Sequence, residues 1–436
     1  MSRTVIGLSQ GAGRNVRATL ERAPVVYDYA SVDLDPTTVT GTDLLQRGQA
    51  LGTLLCHQDP LRSVLGTALS QPPDTEPAPL YFHVRSATAD AIPWEQVYLP
   101  PVGFCALDQR WPVGRIADRV STVRGRPFQP PLRVVAVLSA AGRDGGPQLT
   151  ALRRAVAEAA VPTTLHVISG DEDVVAAMTE ENESAELIAG TSPGLCRQLA
   201  EAEPHVVHLL CHGQKLAKVP VLTFASVGDV DAAQADLGSV NVTVTELTRA
   251  LSHSDPWLVV LAACQTADAE DPDGRPFAHE LVHQGLTAAI GMRRLVDLKD
   301  TDRFCRQLYP EVLAAVAAAV TTPGRGEQII DWAQVLTAPR RVLSDPDPAT
   351  VEAWLDPVLY VQSEDLRVLP EVGTQAHEHA RVQGRLDQFR GLLRSEDLDP
   401  AVREWLIGEI AQMEATLAGR DTEQPRGQDA SPVAGG

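Results

Sequence analysis

The sequence runs to 436 residues, 44% of them hydrophobic, with 37 Lys and Arg against 57 Asp and Glu and a formal charge of −20. That length and apolar content imply a folded protein of two or three structural units with a sizeable core. The acidic surplus speaks against nucleic acid, whose phosphates need clustered Lys and Arg, and no stretch is apolar for long enough to span a bilayer.

In chain order, Thr4–Leu8 and Val25–Tyr29 read as strands joined by a polar, arginine-containing segment. Asp43–Cys56 has helical periodicity, and Tyr81–Arg85 alternates like a strand before Pro93-Trp94-Glu95. The proline-rich Pro127–Pro131 marks a break. Beyond it, Leu132–Leu138 and Thr164–Ile168 read as strands, Leu149–Ala160 and Ser184–Ala202 as helices, and His205–Cys211 as a further strand. This alternation predicts a parallel sheet covered by helices. Thr243 and Glu246 form a capping box that opens a helix to Leu251. Gly11–Gly13 and Gly142–Gly146 lack the remaining residues of a dinucleotide or phosphate loop and read as turns.

From His377 to Leu417, Leu, Arg, Glu and Gln recur at helical spacing around a break at Asp397–Pro400, which predicts a helical hairpin. The polar stretch 420–436 is expected to be disordered. The expected organisation is therefore 1–130 as an N-terminal part, 131–370 as a catalytic region, 371–420 as the hairpin and 421–436 as a tail. Six scattered cysteines with no CxxC, and no basic-then-apolar leader, point to a reduced cytoplasmic protein.

Two apolar runs end in reactive side chains. His205-Val-Val-His-Leu-Leu-Cys-His-Gly213 delivers His212, and Trp257-Leu-Val-Val-Leu-Ala-Ala-Cys-Gln-Thr266 delivers Cys264. Ligands bind at the carboxyl ends of the strands in an open parallel sheet, so the pair can set a thiol beside a base. His208 shares a face with His212 but lies too far back on its strand to reach Cys264, and is read as structural; Cys211 points the other way, into the core.

Ala263-Cys264-Gln265, with a His 52 residues upstream, echoes the caspase signature. The sequence resembles more closely the CHAT domain, a caspase-like and separase-like branch of cysteine peptidases. Ile92-Pro93-Trp94-Glu95, Val207-His208 with His212-Gly213, Leu261–Thr266, Gly285–Met292 and Asp356–Tyr360 match its elements in order. Met292-Arg293-Arg294 stands where the family often has Ser-Leu-Trp. The resemblance implies an α/β, caspase-like fold with a mostly parallel sheet flanked by helices. It implies a cysteine endopeptidase using His212 and Cys264, with the oxyanion held by the backbone N–H groups of Gly213 and Cys264. It also implies a protein or peptide substrate, a protein activator or regulator, no cofactor, and a role in bacterial signalling or defence.

Asp268, Glu270, Asp271 and Asp273 crowd the segment after Cys264; Asp268 and Asp271 are candidates for a pocket that takes a basic residue before the cut. Two other readings stand beside the peptidase. One is a catalytically silent CHAT scaffold for partner proteins. The other is a zinc hydrolase on His279-Glu280-Leu281-Val282-His283, a literal HExxH, for which Glu311 is the one downstream glutamate close enough in sequence to complete the site.

Overall fold

Runs that are apolar at every position become central strands, and runs that alternate become strands with one wet face. The computed structural model describes residues 3–13, 15–24, 31–39, 41, 43–57, 59–69, 76–100, 102–117, 126–216, 219–229, 238–263, 266, 275–294, 297–321, 327–370, 407 and 410. The chain divides into two compact units, 1–369 and 370–436. The strand expected at Val25–Tyr29 lies outside the described residues, as do the C-terminal hairpin and tail apart from 407 and 410.

The chain begins with β1 (Thr4–Gln10), β2 (Val16–Arg22), β3 (Ser31–Leu34), α1 (Leu44–Leu55), α2 (Asp59–Leu69), β4 (Leu80–Val84) and α3 (Ala87–Ala91). The short pair β5 (Tyr98–Leu99) and β6 (Gly103–Phe104) precedes β7 (Val113–Ala117) and β8 (Arg126–Phe128). An alternating series follows: β9 (Leu132–Leu138), α4 (Gly146–Ala157), β10 (Thr163–Ser169), α5 (Glu172–Glu180), β11 (Ser184–Leu187), α6 (Ser192–Glu201) and β12 (Val206–Leu210). Next come β13 (His212–Leu216), β14 (Val219–Phe224), β15 (Val240–Thr243), α7 (Val244–Leu251), β16 (Leu258–Ala262), α8 (Phe277–His283) and β17 (Ala288–Met292). The last elements are α9 (Leu298–Thr321), β18 (Gln328–Ile330), α10 (Thr337–Leu343), β19 (Pro357–Val361) and β20 (Leu366–Pro370).

Twelve strands form one sheet in the order β11-β10-β9-β12-β16-β17-β19-β7-β4-β1-β2-β3, so strands from both sides of residue 130 belong to it. The block from β11 to β17 is parallel. A second parallel block, β19, β7, β4 and β1, meets the first through an antiparallel β17–β19 pair. The α/β class and the mostly parallel, helix-flanked sheet expected from the sequence are what the chain forms. From β9 the chain steps outward to β10 and β11, then returns to place β12 on the other side of β9. The right-handed rule for parallel crossovers sets α4 and α5 on one face and α6, α7 and α8 on the other, and the packing of α7 against α6 and α8 agrees with it. Side-chain caps from Asp43, Asp171, Thr191 and Thr243 open α1, α5, α6 and α7.

Two segments differ from expectation. Residues 184–187, read as the start of a helix, are the edge strand β11, held to β10 through His166, which bonds Ser184 and Glu186. The polar stretch near the N-terminus contains β2, where buried Val16, Ala18 and Leu20 alternate with Arg17, Thr19 and Glu21.

The Pro93-Trp94-Glu95 element packs onto β4 and β7. Trp94 stacks on Phe82 at 5.0 Å and donates its indole N–H to the Ala89 carbonyl. Arg115, fully buried on β7, forks onto both Glu95 oxygens at 2.9 and 2.7 Å and onto Asp90 at 2.7 Å. The Tyr360 hydroxyl donates to the same Asp90 carboxylate. Burial alone drives the Glu95 carboxyl up, but the Arg115 guanidinium outweighs it and brings Glu95 down to about 2.

Arg115→Met is expected to destabilise the fold by about 3–5 kcal/mol in urea titrations, because buried Glu95 and Asp90 lose the guanidinium that hydrogen-bonds both, and Arg293 at 3.8 Å from Glu95 replaces only part of it. Combining it with Glu95→Gln should recover part of that loss. A carboxylate held below its ordinary value of 4.5 stabilises the fold above that pH, so this contribution should fade as the pH drops from about 4.5 toward about 2. A loss of stability in Arg115→Met below about 1 kcal/mol would show that the cluster carries no such weight.

Candidate active site

The site is built at the carboxyl ends of β9, β12 and β16, where the sheet order reverses. β12 and β16 are buried along their whole length and lie side by side in parallel, Val206 opposite Leu258 and Leu210 opposite Ala262. His212 follows Leu210 by two residues, as Cys264 follows Ala262 by two. Cys264 itself lies outside the described residues, as do Asp268 and Asp271.

His212 is half-buried, and its Nε2–H donates to the Ala141 carbonyl at 2.9 Å. A carbonyl can only accept, so the neutral ring carries its proton on Nε2 and presents Nδ1 as its acceptor. Ala141 sits in the turn after β9, where Gly142 adopts a positive φ of 65° that favours glycine. That turn is pinned by Ser139. Its backbone N–H reaches Leu210 O, its hydroxyl donates to Ala225 O at 2.6 Å, and the same hydroxyl accepts from Gly170 N–H. Neither Ala141 nor Ser139 was singled out by the sequence reading; both act through groups that leave little pattern, and the glycine-bearing turn was the only hint.

Beyond the candidate nucleophile in sequence, buried Thr266 bonds back to Ala263 at the β16 exit. Its hydroxyl donates to Ala263 O at 3.0 Å and accepts from Met292 N–H at 2.9 Å, while its carbonyl accepts from Ala278 N–H. Gly291 on β17 permits this approach: a Cβ there would stand 3.0 Å from the Thr266 hydroxyl and 2.8 Å from the Ala278 Cβ. Residues 263 and 266 are thus fixed on either side of Cys264 and Gln265. Gly213 lies next to His212 on β13, opposite Leu222.

The sequence matches the CHAT domain family over residues 63–325, more than half of the chain. The chain belongs to the CHAT domain family. His212, Gly213 and Cys264 all fall within the matched CHAT region, and the family is one of caspase-like peptidases. No curated protein matches the sequence. Among solved structures, a chain of the Saccharomyces cerevisiae separase–securin complex is similar at 11% identity and a TM-score of 0.35. The match covers 71% of this chain and 17% of that one.

His205, His208, His279 and His283 of this CHAT domain pack elsewhere. His208 is buried between the helices on one face; its Nε2–H donates to Gln148 on α4 at 2.7 Å, and its Nδ1 accepts from the Tyr309 hydroxyl on α9 at 2.6 Å. Burial lowers its pKa to about 3, so it stays neutral. His205, lowered to about 4 by burial and by nearby Arg133, packs against Phe128 and Trp257. In the HExxH segment, the rings of His279 and His283 lie 6.0 Å apart and share a face of α8, and His279 sits edge-on to Tyr360. Interaction with His279 lowers the Glu280 carboxyl. Glu311 accepts a bond from Gln307 on its own helix. Among the described residues, no group of three His, Cys, Asp or Glu side chains could hold a metal ion, and no helix is long and apolar enough to cross a membrane.

Thr266→Val keeps the shape of the side chain but leaves the Met292 N–H and the Ala263 carbonyl without their partner. Each such buried group costs roughly 1–3 kcal/mol, and a drop of at least about 1 kcal/mol in chemical denaturation is expected. Thr266→Ser should retain most of the stability. Equal stability of the valine variant and the wild type would mean that this bridge does not brace the β16 exit.

Proposed function

We propose that this chain is a cysteine endopeptidase in which Cys264 is the nucleophile and His212 its base. The observation that carries the reading is the His212–Ala141 hydrogen bond together with the β12–β16 register. The bond orients Nδ1 as the ring's basic atom, and the register brings the segments holding both residues out of the sheet at one level. Cys264 follows Ala262 by two residues, the same offset by which His212 follows Leu210, the register partner of Ala262.

The chemistry follows from these roles. His212 Nδ1 takes the thiol proton, and the Cys264 thiolate attacks the scissile carbonyl. Backbone N–H groups of Gly213 and Cys264 receive the developing oxyanion. As the tetrahedral intermediate collapses, the C–N bond breaks and the leaving amine takes the proton from Nδ1. The acyl-enzyme is then attacked by water, whose proton passes to Nδ1 and on to the departing thiolate. The Ala141 carbonyl accepts from Nε2–H throughout and stabilises the imidazolium when both ring nitrogens carry protons. Asp268 and Asp271 are proposed to face a Lys or Arg side chain immediately before the cut, since a neutral residue there would leave carboxylates uncompensated.

Cys264→Ala and His212→Ala should each lower peptide hydrolysis by a factor of roughly 1,000 or more, and the double variant should lose little beyond either single one. Thermal midpoints should stay near that of the wild type. Iodoacetamide should abolish activity, whereas EDTA should leave it intact. Near-normal turnover in either single variant excludes the pair.

Sequencing of products from a peptide library should show Lys or Arg at the carboxyl side of the new ends, and Asp271→Lys should weaken that preference more than it changes stability. A profile dominated by acidic or apolar residues at that position would refute the pocket.

A further inference from the structure

The strand that begins at the candidate base is half-buried at first and exposed at its far end. β13 is an outer strand of the small sheet β13-β14-β15, and among the described residues no strand pairs with its other side. Its antiparallel register sets His212 opposite Thr223, Gln214 opposite Val221 and Leu216 opposite Val219. With a side-chain period of two, His212, Gln214 and Leu216 share one face with Thr223, Val221 and Val219. The hydrogen bonds that link Gln214, Thr223 and Asn241 across the three strands mark that face. The opposite face holds Leu222, Phe224, Val240 and Val242, which are buried in the main core.

At the outer end of the His212 face, Leu216 is 43% exposed and Val219 50% exposed, two of the six large hydrophobic side chains left open among the described residues. An open strand edge offers backbone N–H and C=O groups to an extended chain, and side-chain positions along it select the guest.

We infer that the β13–β14 hairpin is a docking arm for the extended substrate segment before the scissile bond, with Leu216 and Val219 holding a large apolar side chain. This rests on His212 being the base, because it takes the place of cleavage to lie at the root of the arm. β13 leaves His212 toward Leu216, so a guest strand pairing antiparallel to it runs from Leu216 back toward His212. At about 3.3 Å per residue, the Leu216 level lies about 13 Å from His212, which sets the apolar residue about four positions before the cut.

The test compares wild type with Leu216→Asp/Val219→Asp on a randomised peptide library and on a short reporter that ends before the Leu216 level. The wild type should enrich Leu, Ile, Val, Met or Phe about four positions before the cut, and the variant should lose that enrichment. On a long peptide chosen from the wild-type products, the ratio of long-peptide to short-reporter kcat/KM should fall roughly tenfold in the variant, through KM. The inference is overturned by an unchanged profile in the variant, or by a wild-type profile with no apolar preference at that position. Cleavage of the short reporter that survives Cys264→Ala overturns the underlying dyad and the arm with it. Reporter cleavage that requires Cys264 and His212, with the long peptide indifferent to the variant, overturns the arm alone.

Discussion

The register between β12 and β16 is the constraint from which the site hangs. Both strands are buried on both faces, so a slip of one residue would turn His208 from its partners Gln148 and Tyr309 toward the opposite helical layer. A buried histidine stripped of both hydrogen bonds is costly, and the register is therefore held as firmly by a polar residue as by the valines and leucines around it. The exits of the strands inherit that precision. Ser139 ties the β9 exit to Leu210, Gly170 and Ala225, and Thr266 ties the β16 exit to Met292. The described residues at both strand exits, 139–142 after β9 and 263 and 266 after β16, are thus held by hydrogen bonds.

That clamping reaches across the sheet to the Pro93-Trp94-Glu95 element. Arg293 follows Met292 directly, and its guanidinium donates to the Ala91 and Ile92 carbonyls and lies 3.8 Å from Glu95. The chain of contacts runs from Glu95 through Arg293 and Met292 to Thr266, linking motifs far apart in sequence. Arg294 beside it binds Asp356 and Glu352. Arg293 and Arg294 are therefore absorbed into the wall of the fold, with Arg293 bound to Ala91 and Ile92.

What the sequence made legible was whatever has a short period. The buried strands around His208 and Val260, the capping box at Thr243 and the helix after Asp43 follow from local spacing and local hydrogen bonds. The CHAT elements were legible because their order along the chain is itself a signal. Strand order was not, and with it the reversal between β9 and β12 that sets Ala141 beside His212, since neighbours in space need share no pattern in sequence. β11 was hidden because its four residues, Ser-Ala-Glu-Leu, are too few to establish a period and none of them is buried. The β13–β14 hairpin escaped because His212-Gly-Gln-Lys-Leu has no periodicity of its own and becomes a strand through pairing with Val219–Phe224.

The antiparallel seam between β17 and β19 has a consequence for how the chain must be made. β7 waits for its second neighbour until β19 has been synthesised, since Arg115 pairs in register with Tyr360. Until then the edges of β7 and β17 are both open, and each is a strand able to recruit a foreign one. Residues 357–361 act as the closing stave of the sheet. A ribosome that stalls before Pro357 would release two half-sheets, each with a bare edge, in place of a nearly complete protein. The last strand of the main sheet to emerge is the one that turns two aggregation-prone intermediates into a single fold.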